Sequence, residues 1–223
     1  MCGRFTLTVD PGQLQDAFPW VEFPVDIPNR YNIAPTQPAA VVPNDGLNRV
    51  DFFNWGLIPF WAKDPKMGQR MINARSETIS EKPTFRGSFK YKRCLVLADG
   101  FYEWRKEPGS TSKTPMYLRM KDKMPFAFAG LWDVWQAADG SEIRSFTIIT
   151  TEPNSLVEKI HNRMPVILAP DTYREWLKEG ENNPELLRTL LRPYPSEEME
   201  AYAVSKVVNS PQNDSPECII PVQ

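Results

Sequence analysis

The stretch RCLVLADGFYEWRK, residues 93–106, carries the clearest strand signal in the chain. Its first half, RCLVLA, is apolar after the arginine, and its second half, FYEWRK, mixes aromatic with charged residues. Both halves have the length and composition of β-strands. Asp99 and Gly100 lie between them, and this dipeptide is typical of tight hairpin turns. The stretch therefore predicts a hairpin and favours a fold built mainly from strands.

The rest of the chain supports a strand-rich fold with few helices, since 22 prolines interrupt helical stretches. The other predicted strands are GRFTLTV near the start, AAVV (39–42) and NRVDFFNW (48–55) around the turn PNDG, PMYLRM, PFAFAGLWDVW, RSFTIITT, AYAVS and ECIIPV. The predicted helices are DPGQLQDAF (10–18) capped by Asp10, EPNSLVEKI (152–160), PDTYREWLKE (170–179) and NPELLRTLL. We expect one α+β domain, mainly β, over residues 1–223.

Composition narrows the class of protein. The chain has no apolar run near the ~20 residues of a membrane helix and no secretory signal at its start, so we expect a cytoplasmic protein. Its net charge of -2 argues against a general nucleic-acid binder. The charge is uneven, however, because residues 1–106 hold 14 basic and 11 acidic side chains, a net of +3.

One basic segment stands out. KPTFRGSFKYKR (82–93) has five basic residues and no acidic one. Such a run is most often a solvated face of the protein. It could instead bind phosphates, with Phe85, Phe89 and Tyr91 interleaved among the cations.

Three cysteines without a CxxC pattern exclude a disulfide framework and a recognisable zinc site. Cys94 and Cys218 lie in apolar runs, and we expect both to be buried. Cys2 has polar neighbours and, once Met1 is removed, carries an α-amine and a thiol on adjacent carbons. That pair can act as an N-terminal nucleophile, or it can condense with an aldehyde to a thiazolidine. Arg4 would favour the thiolate and could hold an anion.

Four further segments hold candidate functional residues. In MINARSETI (71–79), Asn73 and Arg75 share one side if the segment is extended, although Ser76 and Glu77 also fit a helix start. Glu103 lies between two aromatic residues, either as a surface carboxylate or as a proton carrier with a raised pKa. His161 is the only histidine, and it is a packing residue or a site residue within a polar tripeptide. Phe60 and Trp61 fill the core or stack on bases.

Several of these motifs occur together in one order. They are MCGRF, RYNIAP (30–35), WGLIPFW (55–61), INARSET (72–78), ADGFYEW (98–104), TTEPN (150–154) and HNRMP (161–165). The set, which extends to the VVNSPQND and IIPV segments near the end, closely resembles the SOS-response-associated peptidase (SRAP) family of abasic-site-processing proteins.

The resemblance implies an expected function. Met1 is removed, and Cys2 forms a stable thiazolidine crosslink with an abasic site in single-stranded DNA or at a single-strand/duplex junction. The crosslink shields the lesion in the SOS response, and peptidase and lyase activities belong to the same family. The implied fold is a bifurcated β-structure with a small barrel. We expect no metal, cofactor or membrane partner, and a monomer in the cytoplasm that joins the nucleoid when bound to DNA.

The resemblance also assigns residues. Asn73 holds the opened sugar, Glu103 moves protons, and His161 protonates the sugar oxygen as the ring opens. The implied DNA contacts are Arg4, Arg75, Trp61, Pro35 and Thr150.

Two alternatives remain at the level of sequence. Class II glutamine amidotransferases also begin Met-Cys-Gly, although their further motifs are not found here. A DNA-binding module in which Cys2 is incidental is the non-enzymatic alternative.

Overall fold

A computed structural model of the chain describes residues 2–107, 109 and 111–222. The strands of this described part are β1 (Arg4–Leu7), β2 (Arg30–Ile33), β3 (Pro38–Pro43), β4 (Asp51–Trp55), β5 (Asn73–Arg75), β6 (Arg93–Ala98), β7 (Gly100–Lys106), β8 (Lys113–Met120), β9 (Phe126–Gln136), β10 (Glu142–Thr151), β11 (Met164–Pro165) and β12 (Met199–Ala203).

The helices are short. The α-helices are α1 (Pro11–Ala17), α2 (Arg86–Tyr91), α3 (Tyr173–Trp176) and α4 (Pro184–Thr189). The 3-10 turns are Pro65–Arg70, Val157–Lys159, Pro170–Thr172, Ser196–Glu198, Lys206–Asn209 and Pro216–Ile219. Asp10 caps α1 as predicted, because its carboxylate accepts from the Gln13 backbone while the Gln13 side chain accepts from the Asp10 backbone. Among the described residues, no helix is long and apolar enough to cross a membrane.

Five strands close into a barrel in the order β10-β4-β3-β6-β9, and pairing of β9 with β10 completes the ring. Strand β10 pairs with two strands in succession along the same edge. Strand β4 runs parallel to its first half and β5 runs parallel to its second half. The loop 56–72 therefore leaves β10 after β4 and returns to it at β5. Strand β11 pairs with the end of β10 at Thr150 and Thr151.

A second sheet, in the order β12-β8-β7-β1-β2, is antiparallel throughout. One face packs on the barrel, where the Phe5 ring lies 5.1 Å from Trp55 and 5.8 Å from Phe128. The other face, which includes Tyr102 and Tyr117, is covered by the C-terminal segment. The main core runs continuously from the barrel to the first of these faces. The prediction of a mainly β fold with a small barrel and few helices is confirmed.

The predicted hairpin at Asp99-Gly100 is wrong. Strand β6 pairs with β3 and β9 in the barrel, whereas β7 pairs with β1 and β8 in the second sheet. The dipeptide carries the chain from one sheet to the other. The Asp99 carboxylate is buried and accepts from the Thr8 backbone and hydroxyl, at 2.7 and 2.5 Å, and from the Thr6 hydroxyl. These contacts with a distant strand determine its conformation.

Two local predictions also need correction. Residues 152–160 form only the 3-10 turn Val157–Lys159, because Asn154 accepts from the backbone of Leu156 and Val157 in a turn rather than a helix. ECIIPV is not a strand, since Pro216–Ile219 is a 3-10 turn followed by a single bridge at Pro221. The predicted burial of Cys94 and Cys218 is confirmed.

Candidate functional site

Cys2 is fully buried just before β1. Its Sγ donates to the backbone oxygen of Arg4 over 3.7 Å. Burial raises the pKa of the Cys2 thiol, and the nearby charge of Glu103 raises it further. The thiol is therefore neutral in this state rather than a ready thiolate. The predicted removal of Met1 concerns a residue outside the described part of the chain.

Arg4 does not activate this thiol. It pairs with Tyr102 across β1 and β7, which places its side chain on the sheet face opposite to Phe5. There its guanidinium donates to Asn32 Oδ1 at 2.8 Å, to Val208 O at 2.7 Å and to Asn209 O at 3.1 Å. The expectation that Arg4 favours the thiolate is wrong, because these neutral acceptors hold its charged group on the other face.

Asn73 contacts Cys2 directly. Its Nδ2 donates to the Cys2 backbone oxygen over 2.8 Å. Asn73 opens β5, which runs parallel to β10 with Asn73 opposite Ile148. Its Oδ1 is buried and has no hydrogen-bond partner among the described residues. An unused buried acceptor beside the chain start is suited to a donor from a ligand, such as a sugar hydroxyl.

The segment after Asn73 is not a helix start. Ser76 is buried, and its backbone nitrogen donates to Thr150 O at 2.9 Å, continuing the contact with β10. Residues 76–81 then form turns, and α2 begins only at Arg86. The extended alternative for Asn73 and Arg75 is therefore confirmed, and Arg75 projects from the end of β5 as an exposed side chain.

Glu103 reaches the same place from the second sheet. Its strand β7 alternates, so that Phe101 and Glu103 face the main core while Tyr102 and Trp104 face the C-terminal segment. Glu103 is 2% exposed, and this burial raises the pKa of its carboxyl group. A surface carboxylate is thus excluded. The β1–β7 register pairs Arg4 with Tyr102, so Glu103 follows on β7 beside the residues that precede β1.

His161 lies in the turn between Val157–Lys159 and β11 and is partly buried. The Arg163 backbone nitrogen donates to His161 Nδ1 over 3.1 Å. Nδ1 also lies 3.2 Å from the Arg163 backbone oxygen, to which a protonated Nδ1 can donate, so this turn accommodates either form of the ring. Partial burial lowers the His161 pKa, and the positive charges of Lys113 and Arg163 contribute in the same direction.

An ion pair that sequence reasoning missed ties these elements together. Arg163 binds Glu77 through both guanidinium nitrogens, at 2.5 and 3.0 Å, and its Nη2 also donates to Thr150 O at 2.7 Å. The pair connects the His161 turn with β10 and with the residues that follow β5. A signal was present, since Arg163 and the oppositely charged Glu77 each lie two residues from a predicted site residue, but the sequence gave no sign that they pair in space.

The remaining candidate DNA contacts lie at different places. Thr150 is fully buried next to the Arg163 guanidinium. Pro35 is partly buried after β2. Trp61 lies on the 56–72 loop with 48% of its surface exposed, so it does not fill the core. Within the part of the chain that the structure describes, no group of three His, Cys, Asp or Glu side chains could hold a metal.

The basic segment 82–93 is only partly a surface strip. Phe85 and Phe89 are in the core, and the buried Arg93 guanidinium donates to four backbone oxygens of residues 89, 90, 176 and 178. The interpretation that all three aromatic residues lie among surface cations is therefore wrong for Phe85 and Phe89. Only Tyr91 is exposed, at 62%. Amphipathic packing of α2 on β6 and β9 explains the split.

Comparison with known proteins identifies the family. The family model for SOS response associated peptidases (SRAP) matches residues 1–211. The chain belongs to the SRAP family. Two Bacillus subtilis proteins are similar to it over 98% of its length. They are abasic site processing protein YoqW, 48% identical over 99% of that protein, and abasic site processing protein YoaM, 47% identical over 97% of it.

More distant relatives extend this SRAP comparison. Abasic site processing protein HMCES of Xenopus tropicalis is 38% identical over 74% of this chain and 55% of its own length. A crystal structure of a protein from Bacteroides thetaiotaomicron has a TM-score of 0.87 at 30% identity, with both chains covered completely. The fold is therefore shared with the Bacteroides protein along the whole chain.

Proposed function

We propose that this SRAP protein processes abasic sites in DNA and binds them covalently through Cys2 after Met1 has been removed. The observation that carries the proposal is that the Asn73 amide bonds to the Cys2 backbone and that the β1–β7 register brings the buried Glu103 beside the start of the chain. The substrate is inferred from the relatives, because the chain is similar along nearly its whole length to proteins named for abasic-site processing.

The chemistry follows from a terminal cysteine. An abasic site in its open form presents an aldehyde. The Cys2 amine adds to that carbon, and the resulting carbinolamine takes up one proton and loses water, which leaves an iminium ion. The Cys2 sulfur then adds to the iminium carbon as the thiol gives up its proton. The product is a five-membered thiazolidine, and the only molecule released is water. An internal cysteine has no free amine and cannot close this ring.

Glu103 is placed to move the protons of this sequence. Burial raises its pKa and so favours the protonated acid, which protonates the departing carbinolamine hydroxyl. The carboxylate left behind takes the thiol proton as sulfur attacks. This second transfer matters because burial keeps the Cys2 thiol neutral. Glu103 ends the sequence protonated, as it began.

Asn73 and His161 act on the sugar. The Asn73 amide fixes the Cys2 carbonyl, which holds the amine in one place, while its unused Oδ1 accepts from a hydroxyl of the opened sugar. His161 in its imidazolium form protonates the ring oxygen as the sugar opens and is left as the neutral ring. The same groups would assist crosslink reversal or β-elimination, which would give the lyase activity.

The expected partner is single-stranded DNA or a single-strand/duplex junction. Arg75 is the exposed cation closest in sequence to Asn73 and is the strongest candidate for a phosphate contact. Arg4 and Pro35 are proposed to contact DNA with smaller roles, the buried Thr150 lines the site through its contact with Arg163, and Trp61 stacks on a base where the duplex is interrupted. We propose that the protein acts as a cytoplasmic monomer, on the nucleoid, and shields lesions during the SOS response.

A denaturing gel tests the proposal. Wild-type protein is incubated with single-stranded DNA that contains one abasic site, and with the same strand carrying an intact base. We expect an adduct that survives denaturation on the abasic strand alone. Cys2→Ala should abolish it, whereas Cys218→Ala, which removes another buried thiol, should leave it. An adduct that persists in Cys2→Ala would refute the role of Cys2.

A further inference from the structure

The chain after β12 forms a closed loop over the outer face of the second sheet. Residues 204–221, which we call the C-terminal strap, begin and end at a single bridge between Val204 and Pro221. Val208 and Cys218 of the strap are fully buried, and they pack on the buried tyrosine side chains of that sheet face. Because its two ends meet, the strap can be held or released as one unit.

Asn32 on β2 joins the strap to the sheet and is itself fully buried. Its Nδ2 donates to three backbone oxygens of the strap, those of residues 208, 210 and 213, at 3.1, 3.0 and 2.7 Å. Its Oδ1 accepts from Arg4 Nη1 on β1 over 2.8 Å. The amide is thus bonded on both its donor and its acceptor side, and its removal would leave polar groups of the strap and of Arg4 short of a partner.

Asp214 attaches the strap to the free edge of the same strand. Strand β2 is the last strand of its sheet, so the backbone N–H groups on its outer side have no partner strand. Asp214 Oδ1 accepts from the backbone nitrogens of Tyr31 and Asn32, at 2.5 and 3.0 Å, and Oδ2 pairs with Arg30 Nε. Hydrogen bonds to a carboxylate are stronger than those between neutral groups. Asp214 is therefore a strong point of attachment between the strap and β2.

The strap reaches the chain start through Arg4. In addition to its bond with Asn32, the guanidinium donates to the strap backbone oxygens of Val208 and Asn209, at 2.7 and 3.1 Å. Bonds from a charged donor are about twice as strong as bonds between neutral groups. The strap therefore holds Arg4 firmly on the sheet face opposite to the main core.

This attachment bears on Cys2 because only Gly3 separates Cys2 from Arg4. The Cys2 thiol donates to the Arg4 backbone oxygen, and Asn73 Nδ2 donates to the Cys2 backbone oxygen. The first residues of a chain fray unless they are tied down. The strap supplies one tie through Arg4, and Asn73 supplies another. Loss of a tie lets the reacting atoms move, and a displacement of about 1 Å is enough to slow a reaction strongly.

We propose that Asn32 and Asp214 are positioning residues for the reaction of Cys2. They hold the C-terminal strap against Arg4, and the strap in turn holds the start of the chain in the geometry that the chemistry needs. The inference rests on the proposed function, which makes Cys2 the reacting residue. Neither Asn32 nor Asp214 touches the reacting atoms, so their loss should change the rate of the reaction more than the affinity for DNA.

Three free cysteines, all of them buried, report on three parts of the molecule. Cys2 lies at the chain start, Cys218 in the strap and Cys94 in strand β6 of the barrel. Iodoacetamide labelling of DNA-free Asn32→Ala and Asp214→Ala, measured for each cysteine by peptide mass spectrometry, shows how often each place opens. The labelling pattern therefore separates release of the strap from loosening of the whole fold.

Both alanine variants should label Cys218 and Cys2 about tenfold faster than the wild type, the usual effect of a lost hydrogen bond to a charged group on an opening equilibrium. Cys94 should label at the wild-type rate. The matched control is Gln212→Ala, which truncates an exposed side chain of the strap and should label as the wild type does. Faster labelling of Cys218 without Cys2 would overturn the proposal, because the strap would then open without freeing the chain start. Equal acceleration at Cys94 would also overturn it, since the two residues would then support the fold as a whole.

Crosslinking kinetics test the consequence for the reaction. On single-stranded DNA with one abasic site, the single-turnover rate of Asp214→Ala at saturating DNA should fall about tenfold, as a small misplacement of the nucleophile predicts. The DNA concentration that gives half of the maximal rate should stay at the wild-type value. Asp214→Asn keeps an oxygen for the two backbone N–H groups and should recover most of the rate. Wild-type rates in both alanine variants, or a loss of DNA affinity in place of rate, would overturn the positioning role.

These readouts separate the two proposals. If the wild-type protein forms no crosslink, the proposed function fails, yet the labelling without DNA still shows whether the strap holds the chain start. If the wild-type protein forms the crosslink and both alanine variants react at its rate, the proposed function stands and the positioning role of Asn32 and Asp214 fails.

Discussion

At the scale of residues, burial gives the candidate site its chemical character. The thiol of Cys2 and the carboxyl of Glu103 are both removed from water, and burial raises both pKa values. A neutral thiol needs a nearby base, and a carboxyl with a raised pKa serves as acid and base in turn. Sequence predicted Asn73 and Glu103 as candidates, but the burial of Cys2 and the position of Arg4 depend on strand pairing that no local pattern reports.

Glu103→Gln should slow crosslinking about 10²-fold, the usual size of a lost general acid–base group, and leave DNA affinity unchanged. Single-turnover experiments at saturating DNA measure the crosslinking rate, and a binding titration measures the DNA affinity. Glu107→Gln, just after the same strand, is the control and should crosslink normally. Loss of DNA binding in Glu103→Gln would instead mean that the residue is structural.

The same substitution has a pH signature. Because the Glu103 pKa is raised in the folded state, the folded protein holds this proton more tightly than the unfolded chain does. That contribution to stability is complete below the ordinary glutamate pKa of about 4.3 and is lost as pH rises through the folded value. As pH rises from the ordinary glutamate pKa through the folded value, the free energy of unfolding of the wild-type protein should therefore fall relative to that of Glu103→Gln. Parallel urea midpoints across pH would contradict the raised pKa.

Glu77→Gln should separate binding from chemistry. Partial burial would raise the Glu77 pKa, but the hydrogen bond and charge of Arg163 outweigh it and hold the pKa below its usual range, with a further contribution from Arg75. Without this carboxylate, the local charge of Arg75, Arg163 and Glu77 rises from +1 to +2, and the His161 turn loosens.

We therefore expect tighter DNA binding together with an about tenfold slower crosslinking rate, since small misplacements of a catalytic group reduce rates strongly. Affinity and saturating rate are measured separately, with the exposed Glu197→Gln as control. If both parameters move in the same direction, Glu77 has no positioning role for His161.

At the scale of elements, sequence patterns found most strands but not their partners. Apolar and alternating runs located β1, β3, β4 and β6–β10 because that pattern is local. The hairpin at Asp99-Gly100 failed because the Asp99 side chain bonds to Thr6 and Thr8 on another strand. Position 100 is a glycine for another non-local reason, since the Tyr117 ring occupies the space that a Cβ would take at this position.

Gly100→Ala should consequently destabilise the protein by about 1–3 kcal/mol, because the added methyl group overlaps the buried Tyr117 ring and hydroxyl. Gly87→Ala in α2 is the matched control. A Cβ there meets nothing within 4 Å, and the change should stabilise by about 0.5–1 kcal/mol. Urea unfolding compares the two, and equal effects would contradict the close packing at Gly100.

At the scale of the whole molecule, the junction of two sheets positions the site. The chain start and Glu103 come from the second sheet, whereas Asn73 and Thr150 come from strands on the barrel side. Closure of the barrel through β9 and β10, and the parallel pairing of β4 and β5 with β10, are long-range contacts without a local sequence signal. The motif order along the chain nevertheless identified the family, which the family comparison confirms.

The central claim is that the mature Cys2 reacts as a terminal aminothiol. Intact mass spectrometry of the purified protein, before and after incubation with single-stranded DNA containing one abasic site, tests it directly. We predict a protein that lacks Met1 and, after incubation, a species heavier by the mass of the DNA strand minus one water. A protein that lacks Met1 and gains no DNA mass under these conditions would contradict the claim.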